Sequence, residues 1–371
     1  MHALFRVLLT ASLLMPATAL KAEDFPASDP RITYVGRTLV EGGSVSFDWT
    51  GTTIRIAFEG NDLSVRLSDS KKDYFDLWID SEPSAGTETV IRAQGDTTIV
   101  LCDAAYLKSR YGKKIPKIHT AVLLKRTEGE QGKVKVISFS CRNLLQAAPL
   151  KERLIEFIGD SYTCGYGAEN SIATDKFTPE TENVNKTYAA VLGRYFDADI
   201  ITVAHSGMGI NRNYNDKLRG YTMVERYLNV FDNGFDKVEG APLWTPGNMK
   251  PDITVIFLGA NDFSKGRQPQ KPLYIEDYLR LLKEVVEFYG EDHPVLCVAS
   301  RTEIFEYVRD AASASGMKNI AICGFNKNLY GYDEQGASSH PAYPAQRKTA
   351  HGLIPYISTL TGWPLNDNPI K

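Results

Sequence analysis

Four short segments carry the residue types that acyl transfer needs. Gly159-Asp160-Ser161-Tyr162-Thr163-Cys164-Gly165-Tyr166-Gly167 sets a serine directly after an apolar run, on a glycine-rich turn. A nucleophile needs that exposure, a constrained backbone and N–H groups close by. The turn is not the G-x-S-x-G elbow of α/β-hydrolases, because Thr163 fills the last position. Ala204-His205-Ser206-Gly207-Met208-Gly209 and Gly259-Ala260-Asn261-Asp262 follow two later apolar runs, and Ser338-Ser339-His340-Pro341 lies near the C-terminus. Ser161 can act as nucleophile and His340 as base, with the Gly207 N–H and the Asn261 amide as donors to a developing oxyanion. Asp160 and Asp262 read as organisers of their turns. Cys164, a rival nucleophile on paper, reads as packing at a helix start, and His205 as a structural histidine with its polar atoms satisfied. Tyr162, Tyr166 and Trp244 offer faces on which sugar rings can stack.

The elements that must position these residues fall into two rhythms. From Ile32 to Ser140 short β-type runs recur: Ser44–Asp48, Ile54–Phe58, Leu63–Leu67, Phe75–Ile79, Thr98–Leu101, Thr120–Leu124 and Val134–Ser140. Gly, Asp, Ser and charged clusters separate them, as in a sandwich or barrel. Gly60-Asn61-Asp62 reads as a hairpin turn between two of them. Beyond Leu150 the apolar runs at 154–158, 200–203, 253–258, 294–298 and 320–323 are nearly continuous, which suits parallel strands covered on both faces. Amphipathic stretches alternate with them: Thr187–Phe196, Tyr274–Tyr289 and Tyr343–Ser358, where Pro355 is expected to kink or end the helix. The expected fold is an N-terminal β-sandwich of jelly-roll type over 23–148, then an α/β domain with a central parallel five-stranded sheet over 149–371. Parallel strands bring their C-terminal ends to one rim, so the four segments should converge there.

Hydrophobic residues make up 43% and charged residues 23%, which argues against long disorder. Residues 1–22 read as a cleavable signal peptide: Arg6 at the start, an apolar stretch at Val7–Met15, and Ala17-Thr18-Ala19 as a small-x-small site. That stretch is too short to span a bilayer. An exported protein, secreted or periplasmic and without a membrane span, is the expectation. The net charge of −3 includes Arg6 and Lys21 of the leader and speaks against a nucleic-acid partner. Five cysteines at irregular spacing without CxxC give no zinc cluster, and no metal or other cofactor is expected. A Cys102–Cys141 bridge is compatible with the sequence.

The motifs in their order resemble those of the SGNH (GDSL-type) hydrolases, and G-D-S-x-T-x-G-Y-G, G-A-N-D-F-S and the preceding β-domain resemble carbohydrate esterase family 2. The resemblance implies a serine esterase that removes acetyl groups from polysaccharide of xylan or glucomannan type. Ser161 is then the nucleophile and His340 the base, and the Ser161 N–H, Gly207 N–H and Asn261 amide form the oxyanion hole. The superfamily's Asp, three residues before the His, is replaced here by Ala337. Asp333 and Glu334 stand just upstream, but a main-chain carbonyl is the expected orienter of His340, which leaves a Ser–His dyad. The alternatives are an esterase or lipase for other acyl esters, and an inactive glycan-binding protein.

Overall fold

The computed structural model describes residues 22–232, 242–324 and 334–368, so the segment expected to be a signal peptide, apart from Ala22, lies outside them. The first half is an eight-stranded antiparallel sheet: β1 (Glu23–Pro26), β2 (Thr33–Val35), β3 (Leu39–Glu41), β4 (Ser44–Phe47), β5 (Thr53–Ile79), β6 (Thr89–Cys102), β7 (Ile118–Lys125) and β8 (Val134–Leu145). Its organiser is β5, which runs 27 residues and pairs with β2, β6, β7 and β8. Ile54, Ile56, Phe58, Leu63, Val65 and Leu67 alternate into a core shared with Phe47, Phe75 and Phe139.

The hairpin expected at Gly60-Asn61-Asp62 is absent. The strand passes through, and the pairing with β8 slips there between Glu59 and Leu63. Gly60 has φ +116°, and a Cβ on it would meet the Arg142 side chain, so the glycine serves a bulge rather than a turn. One helix, α1 (Ala104–Tyr111), interrupts this half unannounced. It is short, buries Leu107 alone and is fixed by its Asp103 cap, so no periodicity marks it. The Cys102–Cys141 bridge is likewise ruled out: both residues pair with Leu63, from strands on opposite sides of β5. That places them about two strand spacings apart, roughly 9–10 Å, beyond disulfide reach. All five cysteines are buried free thiols.

The second half holds a five-stranded sheet, every pair parallel, in the order β10-β9-β11-β12-β13: β9 (Leu154–Gly159), β10 (Asp199–Ala204), β11 (Ile253–Phe257), β12 (Val295–Ala299) and β13 (Ile320–Gly324). Helices α2 (Ser161–Cys164), α3 (Tyr188–Phe196), α4 (Met223–Arg226), α5 (Lys271–Tyr289), α6 (Thr302–Ser315) and α7 (Tyr343–Thr361) complete it. Ile155, Phe157 and Val255 pack on α3 and α7, while Ile158, Ile256 and Cys297 pack on α5 and α6. Both faces are therefore covered, which explains the unbroken apolar runs. Pro355 does not end α7. It sits on the exposed face beside exposed His351, while Leu353, Ile354 and Ile357, one or two residues away along the chain, point to the buried face. Water can take the carbonyl that proline leaves without a donor, and the helix continues.

The two halves are joined by buried charge. Arg37 pairs with Glu156 of β9 at 3.1 Å with both side chains fully buried, and Tyr227, Tyr289 and Thr254 donate hydroxyl hydrogens to the same carboxylate. Removing one partner of such a pair costs about 3–5 kcal/mol. Arg55 of β5 binds Asp199 of β10, and the loop from Lys125 to Gly132 reaches across to the second half.

Candidate active site

The chain leaves β9 to form β10 on one side and later returns to β11 on the other, so the C-terminal end of β9 is the switch point of the sheet. Ser161 is the second residue after that end, behind Asp160, and opens α2. Asp160 caps this helix, its Oδ1 accepting the Tyr162 N–H at 3.0 Å. At the first helical position the Ser161 N–H has no intrahelical acceptor. Gly165 closes the turn at φ +82°, where a Cβ would strike the Asn183 carbonyl.

His340 arrives from the other end of the chain, on the loop before α7. Ser161 Oγ donates to His340 Nε2 at 2.9 Å. His340 Nδ1 donates to the Ser338 main-chain oxygen at 3.2 Å. An acceptor at Nδ1 selects the tautomer whose Nε2 lone pair faces the serine. Ser338 and Ser339 both lie in the left-handed region, at φ 54° and 59°, a costly conformation that turns the Ser338 carbonyl back onto the ring. The Ser338 and Ser339 N–H groups are tied to the Asp175 and Ala173 carbonyls. Gly167 and Gly336 let the two loops touch backbone to backbone: a Cβ on Gly167 would lie 2.8 Å from the Ala337 Cβ, and one on Gly336 would strike the Gly167 carbonyl. The fully buried Ala337 occupies that contact. Among the described residues no carboxylate hydrogen-bonds the ring. Glu334 pairs with Lys348, and Asp333 lies outside the described residues.

Gly207, at φ +82°, follows β10, and Asn261 follows β11, so the expected oxyanion donors come from the strands flanking β9. Asn261 Nδ2 donates to Asp160 Oδ2 at 3.1 Å and to the Met208 carbonyl at 2.8 Å, so both amide hydrogens are engaged in this structure and one must be released for Asn261 to serve an oxyanion. Asp262 accepts the N–H groups of Ile210, Asn211 and Arg212 at 2.7–3.1 Å and so joins the β10 and β11 loops. Both aspartates organise turns. Burial pushes Asp160 up to about 7 against the pull of the Tyr162 N–H, and lifts Asp262 to about 6.

The aromatic expectations divide. Tyr166 stacks on Phe177 with centroids 3.7 Å apart and lies 4.5 Å from the His340 ring. Tyr162 meets His340 edge-on at 5.8 Å but also packs on Phe257. Trp244 does not serve as a sugar platform. It is 6% exposed, packed with Val230 and Phe231, and its ring lies 5.3 Å from the Arg37 guanidinium. Tyr214, 52% exposed and next to Gly207, is the exposed ring at this rim that motif reading passes over. Its one signal is its place in the long polar insertion after β10.

Cys164 is fully buried. Its thiol donates to Glu128 Oε2 at 3.4 Å, and burial raises its pKa well above the usual value, so it is no nucleophile. Glu128, Cys164 and Glu182 have ligand-type atoms within 4.8 Å of one another. The protonated thiol and the Ser206 N–H, which is 2.5 Å from Glu128 Oε2, already engage that oxygen. His205 is structural, its Nδ1 held by Asp232 Oδ2 at 2.6 Å. Burial works to lower its pKa, but Asp232 and Glu128 outweigh it and the balance is a rise.

Burial also dominates at His340 and holds it below its ordinary value, against the Ser338 and Ala337 backbone and the charge of Glu128. A base must be neutral to accept the serine proton. The His340 resonance, assigned by its loss in His340→Gln, is therefore expected to titrate below about 6.5. A midpoint above that value contradicts the placement of the ring.

A serine at the switch point of a parallel sheet, hydrogen-bonded to a histidine from the last loop, defines a GDSL-type hydrolase of carboxylic esters. Residues 157–334 match the GDSL-like Lipase/Acylhydrolase family, and residues 34–149 match the Carbohydrate esterase 2 N-terminal family. The two matches in tandem span most of the chain and give it the two-part make-up of a carbohydrate esterase 2 N-terminal domain followed by a GDSL-type hydrolase domain. The chain is 29% identical over 364 residues to the cellulase/esterase CelE of Acetivibrio thermocellus, covering 92% of this chain and 41% of CelE. It is 24% identical over 356 residues to an acetylxylan esterase / glucomannan deacetylase of Cellvibrio japonicus, covering 91% of each. The structure of a family two carbohydrate esterase from Clostridium thermocellum in complex with cellohexaose is similar, with a TM-score of 0.76, 27% identity, and coverage of 90% of this chain and 100% of that one.

Proposed function

We propose that the protein removes acetyl groups from acetylated plant-type polysaccharide, xylan or glucomannan, through a Ser161–His340 dyad. The observation that carries this reading is the pair of hydrogen bonds at His340: Nε2 to Ser161 Oγ at 2.9 Å and Nδ1 to a main-chain carbonyl at 3.2 Å. Ser161 Oγ attacks the acetyl carbonyl while its proton passes to Nε2. The negative charge on the carbonyl oxygen is met by the Ser161 N–H and the Gly207 N–H, each worth about 2.7–4 kcal/mol at the transition state, and by Asn261 Nδ2 once one of its two hydrogens turns from Asp160 or Met208 to the oxyanion. His340 then returns the proton to the departing sugar hydroxyl. A water molecule, deprotonated by the same nitrogen, releases acetate from the acyl-serine. The carbonyl at Nδ1 fixes ring and tautomer, but it stabilises imidazolium less than a carboxylate does.

The substrate class rests on the relatives described above and on Tyr166, Phe177 and Tyr214 at the rim, which are suited to stacking on sugar rings. Export through the leader is part of the same proposal, and no described helix is long and apolar enough to cross a membrane. Acetate release from acetylated xylan or glucomannan is expected to exceed octanoate release from the matched octanoyl ester by at least about tenfold in kcat/KM. A preference for the long chain overturns the carbohydrate reading and favours a lipase.

A further inference from the structure

The first sheet sends one loop under the site. Lys125, at the end of β7, is fully buried. Its Nζ donates to Asp73 Oδ1 at 2.6 Å and to the carbonyls of Thr127 and Glu128 at 2.7 and 3.2 Å, curling the chain after the strand. Arg126 anchors the curl to the second half through Glu169 and the Glu182 carbonyl. Gly129 lets the loop press on Asp232, where a Cβ would come within 2.5 Å of Oδ2. Between these anchors Glu128 is 1% exposed. Its own N–H donates to Glu182 Oε2 at 3.1 Å. Burial and the charge of Glu128 push Glu182 well above the carboxylate range.

Glu128 Oε2 accepts the main-chain N–H of Ser206 at 2.5 Å and the Cys164 thiol at 3.4 Å. Ser206 immediately precedes Gly207, and Cys164 ends the helix that Ser161 begins. On its other side Ser206 follows His205, which Asp232 holds. We propose that Glu128 is a positioning residue for acyl transfer, a carboxylate supplied by the N-terminal sheet that joins the nucleophile helix to the oxyanion turn. It touches no reacting atom; it sets the distance between the Ser161 and Gly207 N–H groups. A buried acceptor is required there, since the Ser206 N–H would otherwise be left without a partner. The N-terminal sheet is thus part of the catalytic unit and not a detachable binding module. This inference rests on the esterase reading above.

The test uses the full chain and 4-nitrophenyl acetate. Glu128→Ala is expected to lower kcat about 10²-fold, the scale of losing one oxyanion donor, with KM changed less than about threefold and the near-ultraviolet circular dichroism retained. Glu128→Gln keeps an oxygen for the Ser206 N–H and is expected to recover most of kcat. If Glu128→Ala does not fold, Glu128→Asp, which withdraws the carboxylate by one methylene, is expected to show the same fall in kcat. A folded Ala or Asp variant with kcat within twofold of the parent overturns the proposal. So does a loss carried by KM alone, or a folded Gln variant as slow as Ala. Activity surviving in Ser161→Ala marks failure of the esterase reading instead.

Discussion

Ser161→Ala is expected to lower kcat for acetate release by about 10⁴–10⁶-fold while leaving the fold intact. Removing Oγ deletes the atom that attacks and the donor that occupies His340 Nε2. It leaves the backbone N–H, the Asp160 cap and the Asn261 contacts in place. What survives is oxyanion stabilisation and binding alone, so KM should move little. The neighbouring thiol cannot rescue the reaction: Cys164 is fully buried, protonated and turned toward Glu128. The measurement is steady-state acetate release on acetylated xylan and on 4-nitrophenyl acetate, beside a thermal melt. A variant that melts like the parent and keeps even a tenth of kcat contradicts the assignment.

His340→Gln is expected to fall as far as Ser161→Ala, and the double variant no further, because a nucleophile without its base and a base without its nucleophile are equally idle. Glutamine can still hydrogen-bond Ser161 Oγ, but it cannot hold the proton through the transition state. The small stabilisation that the Ser338 carbonyl gives to imidazolium makes the basicity of this ring matter more. Rates of all three variants on one substrate check this. A double variant slower than both singles by another large factor shows that the two residues act separately, and the dyad is then wrong.

Both residues are legible in the sequence, although 179 positions separate them, because each is announced by its own local pattern. Ser161 follows an apolar run on a glycine turn, and His340 sits in a polar segment ahead of the last amphipathic stretch. Parallel strands with alternating helices then leave one rim where they can meet. Signals that depend on long-range pairing are less visible. The pattern at Gly60-Asn61-Asp62 is as good a turn as a bulge, and what decides it is the company of β6, β7 and β8 along one long strand. Trp244 looks like a sugar platform because aromatic identity is visible and burial is not; Arg37, from a distant segment, covers it. Glu128 stands in Lys125-Arg126-Thr127-Glu128, which reads as a solvated charged cluster between strands. Nothing local shows that the loop is inserted beneath a second domain. The orienter of His340 is a carbonyl, an atom every residue carries, and it is the left-handed backbone at Ser338 that aims it.

The central claim is that the Ser161 hydroxyl, activated by His340, forms the covalent bond to the acyl group. A fluorophosphonate tests it directly, since the serine oxygen displaces fluoride at phosphorus and the proton passes to the imidazole. Peptide mapping is expected to find one equivalent of label on Ser161, activity lost in step with labelling, and labelling suppressed in His340→Gln. Label on any other residue, or full activity with Ser161 modified, contradicts the account.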